Sequence, residues 1–214
     1  MIYCFKSIGL IGVGLIFISS LQAQDQDTAV LSPWEHSLAM NFYLFQDPFI
    51  FIPTYEVDKG HLHLGARYNY EDHKTFSAWV GYNFLGGKDL AYGITPMAGV
   101  LVGQTNAFAA GTIIRLDFRK FSFYSESEFI FDVVAYNNDF YSGYFYTWTD
   151  LSYAFTDWLY AGMSVQKTRL YDTGPYIQRG LLVGGRLYDI DITGYFYELF
   201  SEDPFLILTV ARDF

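Results

Sequence analysis

The last nine residues, Leu206-Ile207-Leu208-Thr209-Val210-Ala211-Arg212-Asp213-Phe214, alternate in character. Leu206, Leu208, Val210 and Phe214 fall on one side; Ile207, Thr209, Ala211 and Asp213 fall on the other. A repeat of two is the side-chain period of a strand, not of a helix. The stretch therefore reads as a strand with one mostly apolar face, finishing on an aromatic carboxyl terminus. The pattern recurs upstream. In 61–71, Leu62, Leu64, Ala66, Tyr68 and Tyr70 face one way, and His61, His63, Gly65, Arg67, Asn69 and Glu71 the other. In 75–85, Phe76, Ala78, Val80, Tyr82 and Phe84 oppose Ser77, Trp79, Gly81 and Asn83.

The amino terminus carries a different signal. Lys6 precedes Ile8 to Ile18, which is apolar apart from glycines, and Leu21-Gln22-Ala23 offers a small residue for cleavage. That order is the three-part pattern of a secretory signal peptide, with the cut expected after Ala23. The apolar stretch is shorter than the ~20 residues of a spanning helix. The only cysteine, Cys4, lies before it, which speaks against a lipoprotein. Removal of the signal leaves neither a disulfide nor a thiol nucleophile.

Composition narrows the class. About 190 mature residues suit one domain. Aromatics make up 21% of the chain and hydrophobic residues 51%, yet no later apolar run is long enough to span a bilayer as a helix. In lipid only helices and closed barrels satisfy every backbone polar group. An exported, aromatic-rich, alternating chain therefore points to a closed membrane barrel. The net charge of −10 becomes −11 once Lys6 is removed. That argues against nucleic acid as a partner, since such binding needs basic surface.

About twelve strands are expected, near 36–45, 49–57, 61–71, 75–85, 90–102, 107–118, 121–134, 142–154, 158–170, 177–187, 190–199 and 204–214. Pro53 interrupts 49–57, Pro96 interrupts 90–102, and 190–199 is mixed on both faces, so ten strands is the alternative. The expected organisation is a signal peptide at 1–23, a periplasmic segment at 24–35, and an all-β, transmembrane antiparallel up-and-down β-barrel at 36–214. An even count puts both termini on the periplasmic side. Periplasmic turns then fall at Asp58-Lys59-Gly60, Gly86-Gly87-Lys88-Asp89, Arg119-Lys120, Thr156-Asp157 and Tyr188-Asp189. Outer loops include Ala135 to Tyr141, Tyr171 to Tyr176 and Ser201 to Pro204.

The signal, the alternating strands, the Tyr- and Phe-rich strand ends and Phe214 together resemble the bacterial outer-membrane β-barrel class. The resemblance covers His36 to Phe214. It implies an outer-membrane location, lipid as surroundings, and Phe214 as the mark read by the barrel-assembly machinery. Leu206, Leu208 and Val210 match that class, while Arg212 occupies a position usually apolar or aromatic. The stretch from Tyr68-Asn69-Tyr70-Glu71-Asp72 to Gly81-Tyr82-Asn83-Phe84 resembles barrels of Bacteroidota type, to which no activity attaches.

Parity assigns the polar chemistry to the lumen: Arg67, Glu71, Arg115, Asp117, Glu126, Glu128, Asp132, Asp150, Gln178 and Arg186. Pairing across the Arg119-Lys120 turn sets Arg115 near Tyr124 and diagonally near Glu126. One wall is then rich in carboxylates, with Arg67 and Arg186 on other walls. Such a lumen suits a small passive channel for polar solutes or cations. The alternative is a structural or interaction barrel whose charges pair and fill a narrow interior. An outer-membrane hydrolase is a third reading, with three candidate constellations. Glu126 with Glu128 or Asp150 has the geometry of a glycosidase acid/base pair. His61 and His63 share a face and so a possible metal, without a third ligand. Glu71-Asp72-His73 with Ser77 would be a Ser/His/acid set at the outer rim. Paired lumen carboxylates and rim turns are usually structural, so the expectation is no enzyme, no metal and no cofactor. Thr112, Ser125, Ser127, Thr147 and Thr149 face outward, which fits a subunit contact, a lipid headgroup site, or simply small strand residues.

Overall fold

The computed structural model describes residues 33–44, 49–132, 143–170 and 176–214. The expected signal peptide, residues 24–32 of the expected periplasmic segment and the expected outer loops at 135–141 and 171–175 lie outside them. Thirteen strands run in chain order: β1 Glu35–Leu44, β2 Ile50–Lys59, β3 Leu62–Tyr68, β4 Thr75–Tyr82, β5 Phe84–Gly86, β6 Leu90–Gly103, β7 Ala107–Phe118, β8 Phe121–Asp132, β9 Gly143–Ala154, β10 Leu159–Leu170, β11 Tyr176–Leu187, β12 Ile190–Tyr197 and β13 Phe205–Asp213. Each pairs antiparallel with its neighbours. β1 pairs with β13, and β4 and β5 both pair with β6, so the sheet closes on itself. β4 and β5 form one stave broken at Asn83, which makes a barrel of twelve staves. The start of β1 lies beside the end of β13, with the His36 N–H donating to the Phe214 carbonyl at 2.9 Å and the reverse bond also at 2.9 Å.

Both prolines sit where the ladder needs no donor. β3 pairs with β2 only from Thr54 onward, so Pro53 faces β3 at an unpaired position. β6 pairs with β5 at 92–94 and with β4 at 97–103, leaving Pro96 opposite the break. Proline lacks an N–H and is tolerated at such interruptions. The two strands it seemed to weaken are therefore full staves, and 75–85 is the stave that breaks. Arg119 and Tyr188 open two-residue hairpins at φ 56° and 55°. Left-handed turn residues of that kind match the twist of the flanking strands.

The outer surface is apolar around the barrel. Val80, Val102, Phe108, Met163, Leu181 and Ile192 are each exposed on it. Only a hydrocarbon environment removes such a belt from water. The inside is filled. Tyr43, Ile52, Trp148, Leu182, Tyr195, Tyr197 and Ile207 have no exposed surface. Trp148 meets Tyr195 and Tyr197 edge-on, with ring centroids 5.1 and 5.8 Å apart. The Trp79 ring lies on the inner face over Gly99 of the neighbouring strand, where a Cβ would stand 2.6 Å from it. In the described conformation these side chains pack the barrel interior at their level.

Candidate functional site: the charged lumen

The site begins with a turn. β3 ends at Tyr68 because Asn69 adopts φ 58°, a conformation asparagine tolerates. The Asn69 side chain accepts the Lys74 N–H at 2.7 Å, and the Asn69 N–H donates to the Thr75 carbonyl at 2.9 Å. This clasp reverses the expected parity of Tyr70. Its ring swings into the barrel instead of facing out with Leu62 and Leu64, and Tyr70 is 1% exposed. Glu71 follows it inward.

Arg67 is the centre of the resulting knot. Its guanidinium donates to Glu128 and Glu126, both at 2.5 Å, on the far wall. Glu71 lies 3.7 Å and Glu56 3.9 Å from its nitrogens. The guanidinium also stacks over the rings of Tyr70 at 4.3 Å and Trp79 at 5.2 Å. The second oxygen of Glu126 accepts from the hydroxyls of Tyr70 at 2.7 Å and Tyr124 at 2.8 Å. Glu71 accepts from Ser77 at 2.6 Å and from the Trp79 indole at 2.9 Å, and its carbonyl accepts from Tyr144 at 2.5 Å. β3 and β4 are thereby tied across the lumen to β8 and β9.

Two arrangements differ from the sequence expectation. Arg67 belongs to the carboxylate-rich wall in function although it springs from another, because its side chain spans the interior. Arg115 lies opposite Tyr124 as expected but approaches Glu56 at 3.5 Å, not Glu126. Asp150 is buried one step away and outside the knot. It accepts from Trp148 at 2.7 Å, from Tyr195 at 3.2 Å and from Ser164, with no cation within ion-pair range among the described residues.

The end of the barrel with the two-residue hairpins is looser. Asp58 accepts from His63 Nδ1 at 2.9 Å and from Asn83 at 2.6 Å. Asp117 accepts from Ser122 at 2.6 Å. Arg186 lies 3.8 Å from Asp191 and 3.9 Å from Asp213, with about a third of its side chain exposed. At the opposite end of β11, Gln178 is half-buried. The Asp132 side chain lies outside the described residues.

The hydrolase constellations do not assemble. Glu126 and Glu128 are both held by Arg67, which leaves neither free as an acid or base. His61 stacks on Tyr82 at 4.9 Å and bonds the Asn83 carbonyl, while His63 serves Asp58. No group of three His, Cys, Asp or Glu residues with metal-site geometry occurs among the described residues. Ser77 is buried and donates to Glu71, not to His73. On the outside, Ser125 pairs with Thr149 at 3.0 Å and Ser127 with Thr147 at 2.9 Å, with Thr112 opposite Ser127. Their hydroxyls satisfy one another within the wall. Phe214 stacks on His36 at 5.5 Å.

Parity turned Tyr70 outward and left Glu56 unnamed; Trp79 and Tyr124 fell on the inward face but were not counted among the site residues. The signal for Tyr70 was the Asn69 turn residue, which ends the alternation two residues before the strand was expected to stop.

No family model matches the chain, and no curated protein matches it in sequence. Among solved structures it is similar to the KdgM porin, with TM-score 0.58 and 10% identity, covering 83% of this chain and 99% of that one. It is also similar to a chain solved in work on in-meso crystallization of membrane proteins, with TM-score 0.55 and 10% identity, covering 84% and 83%. At this identity the likeness concerns the fold: a closed antiparallel barrel of the outer-membrane type.

Proposed function

We propose that the chain is an outer-membrane channel for small polar solutes, held closed in the described conformation by its own lumen side chains. The observation that carries this reading is the Arg67 knot, a charged plug at one level above a half-exposed vestibule at the periplasmic end. The likeness to the KdgM porin supports it. An opened path would pass Glu56, Glu71, Glu126, Glu128 and Asp150 against Arg67 and Arg115. That surplus of carboxylate favours cations. Asp117, Asp132 and Arg186 belong to its mouths. In this reading residues 1–23 direct export, 24–35 stay periplasmic, lipid surrounds the belt, and Phe214 presents the chain to the assembly machinery.

A second reading, a structural barrel with a permanently filled lumen, is favoured by the packing of Tyr43, Trp148, Tyr195 and Tyr197. Planar-bilayer recording separates the two. The native barrel should conduct rarely and weakly, and Arg67→Met should conduct more often. Silence from both folded proteins would leave the structural reading standing.

A further inference from the structure

The connection 69–74 is built as a plug with two hinges. Asn69 and Lys74, at its two ends, are both left-handed, at φ 58° and 53°. Between them Tyr70 and Glu71 reach into the lumen while Asp72 stays at the rim, accepting from Thr105 at 2.5 Å. The plug is held by unequal bonds. Glu126 and Glu128 take the two terminal nitrogens of Arg67, so Glu71 at 3.7 Å is left with Ser77 and Trp79, both neutral donors. One of its oxygens, Oε2, has no hydrogen bond among the described residues. An ionised Glu71 is thus the surplus charge in a buried cluster that one guanidinium cannot neutralise.

We propose that the 69–74 connection is a proton-latched plug, inserted while Glu71 carries a proton and withdrawn from the outer mouth when Glu71 ionises. Burial pushes the Glu71 carboxyl up from its ordinary range, while Arg67, Ser77 and Trp79 pull the other way. The sign follows. A carboxyl raised in the inserted state favours insertion at low pH, and that preference is lost as pH rises through the raised value. The groups facing Glu71 are Arg67 on β3, Ser77 and Trp79 on β4, Glu126 and Glu128 on β8, and Tyr144 and Tyr146 on β9. Glu56 on β2 and Arg115 on β7 act through Arg67 and Glu56, and Tyr70, Asp72 and His73 adjoin it in the loop. Deprotonation of Glu71 adds repulsion from Glu126 and Glu128 at once.

As a gate the plug rests on the channel reading, but its test needs no conductance. Mature barrel, which has no cysteine, receives Leu101→Cys. Leu101 lies inside, opposite Ser77 and 2% exposed, but outside the knot. Folded protein in vesicles is treated from outside with a membrane-impermeant maleimide. The rate is divided by that of Ser201→Cys, an exposed outer position, to cancel thiol ionisation. From about pH 5 to about pH 9 the ratio should rise about tenfold, within the usual range of coupling between two sites. Adding Glu71→Gln should flatten it at the low value. A flat ratio without Glu71→Gln overturns the latch, and an unchanged rise with it overturns the role of Glu71. Should Leu101→Cys not fold, Met97→Cys is the second probe. Closing the loop with an Asp72→Cys/Thr105→Cys disulfide should abolish the rise, and a rise that survives it places the motion elsewhere.

Discussion

The two ends of the lumen use the same residue types in opposite ways. Around Arg67, every charged partner is almost fully buried, and two of its bonds are 2.5 Å long. Around Arg186, the carboxylates of Asp191 and Asp213 lie at 3.8 and 3.9 Å and keep contact with water. Desolvation makes the first arrangement strong and intolerant, since removal of one partner strands the others in a dry interior. The second is screened, and each charge there keeps its solvation. The lesson concerns function as much as stability. A gate needs an interaction that is costly to leave half-made, whereas a mouth needs charge that can exchange partners with a passing ion.

The sharpest test of that contrast is Arg67→Met. It removes the only guanidinium within hydrogen-bonding distance of Glu126 and Glu128 among the described residues and should cost roughly 3–5 kcal/mol. Denaturant titration followed by heat-modifiable gel migration reads the loss. Adding Glu126→Gln and Glu128→Gln to the same barrel should restore most of it, because the stranded charges go with their partner. If the triple variant is no more stable than Arg67→Met alone, the knot is not held electrostatically and the contrast with the vestibule fails.

Asp150 tests burial without an ion pair. Trp148, Ser164 and Tyr195 all direct donors at it, so an amide in its place faces N–H against N–H or O–H. Asp150→Asn should cost about 1–3 kcal/mol, between the two extremes. In a conducting background such as Arg67→Met, the same change should also move the reversal potential under a salt gradient toward anions. An unchanged potential would show that Asp150 lies off the path and serves only packing.

The contrast was half legible in the sequence. Alternation located every stave, and the barrel followed from lipid physics rather than from any motif. Parity also placed Arg67, Glu126, Glu128 and Asp150 inside. It failed at Tyr70, where a single left-handed Asn69 turned the chain over, and at Asn83, where a bulge split a regular-looking strand. It could not pair Arg67 with β8, because a long side chain crossing a lumen leaves no trace in the sequence spacing of either strand. Whether inward charges are dry or wet was likewise beyond it. That depends on how Tyr43, Trp148, Tyr195 and Tyr197 fill the space between walls that are far apart in sequence.

The smallest effect is expected at the vestibule. Arg186→Ala removes a side chain with about a third of its surface exposed, whose ion pairs with Asp191 and Asp213 span 3.8 and 3.9 Å. Asp191 keeps its bond from Tyr160 at 2.5 Å, so that carboxylate is not stranded. Exposed pairs of this geometry contribute about 0.2–1 kcal/mol and weaken with salt. The unfolding midpoint should therefore shift little, and the shift should shrink further in about 1 M salt, where the screening length falls to about 3 Å. Arg67→Met should show no comparable salt dependence, since buried pairs are poorly screened. A large, salt-independent loss at Arg186 would mean that the vestibule is as dry as the knot, and that the barrel is closed along its whole length rather than at one level.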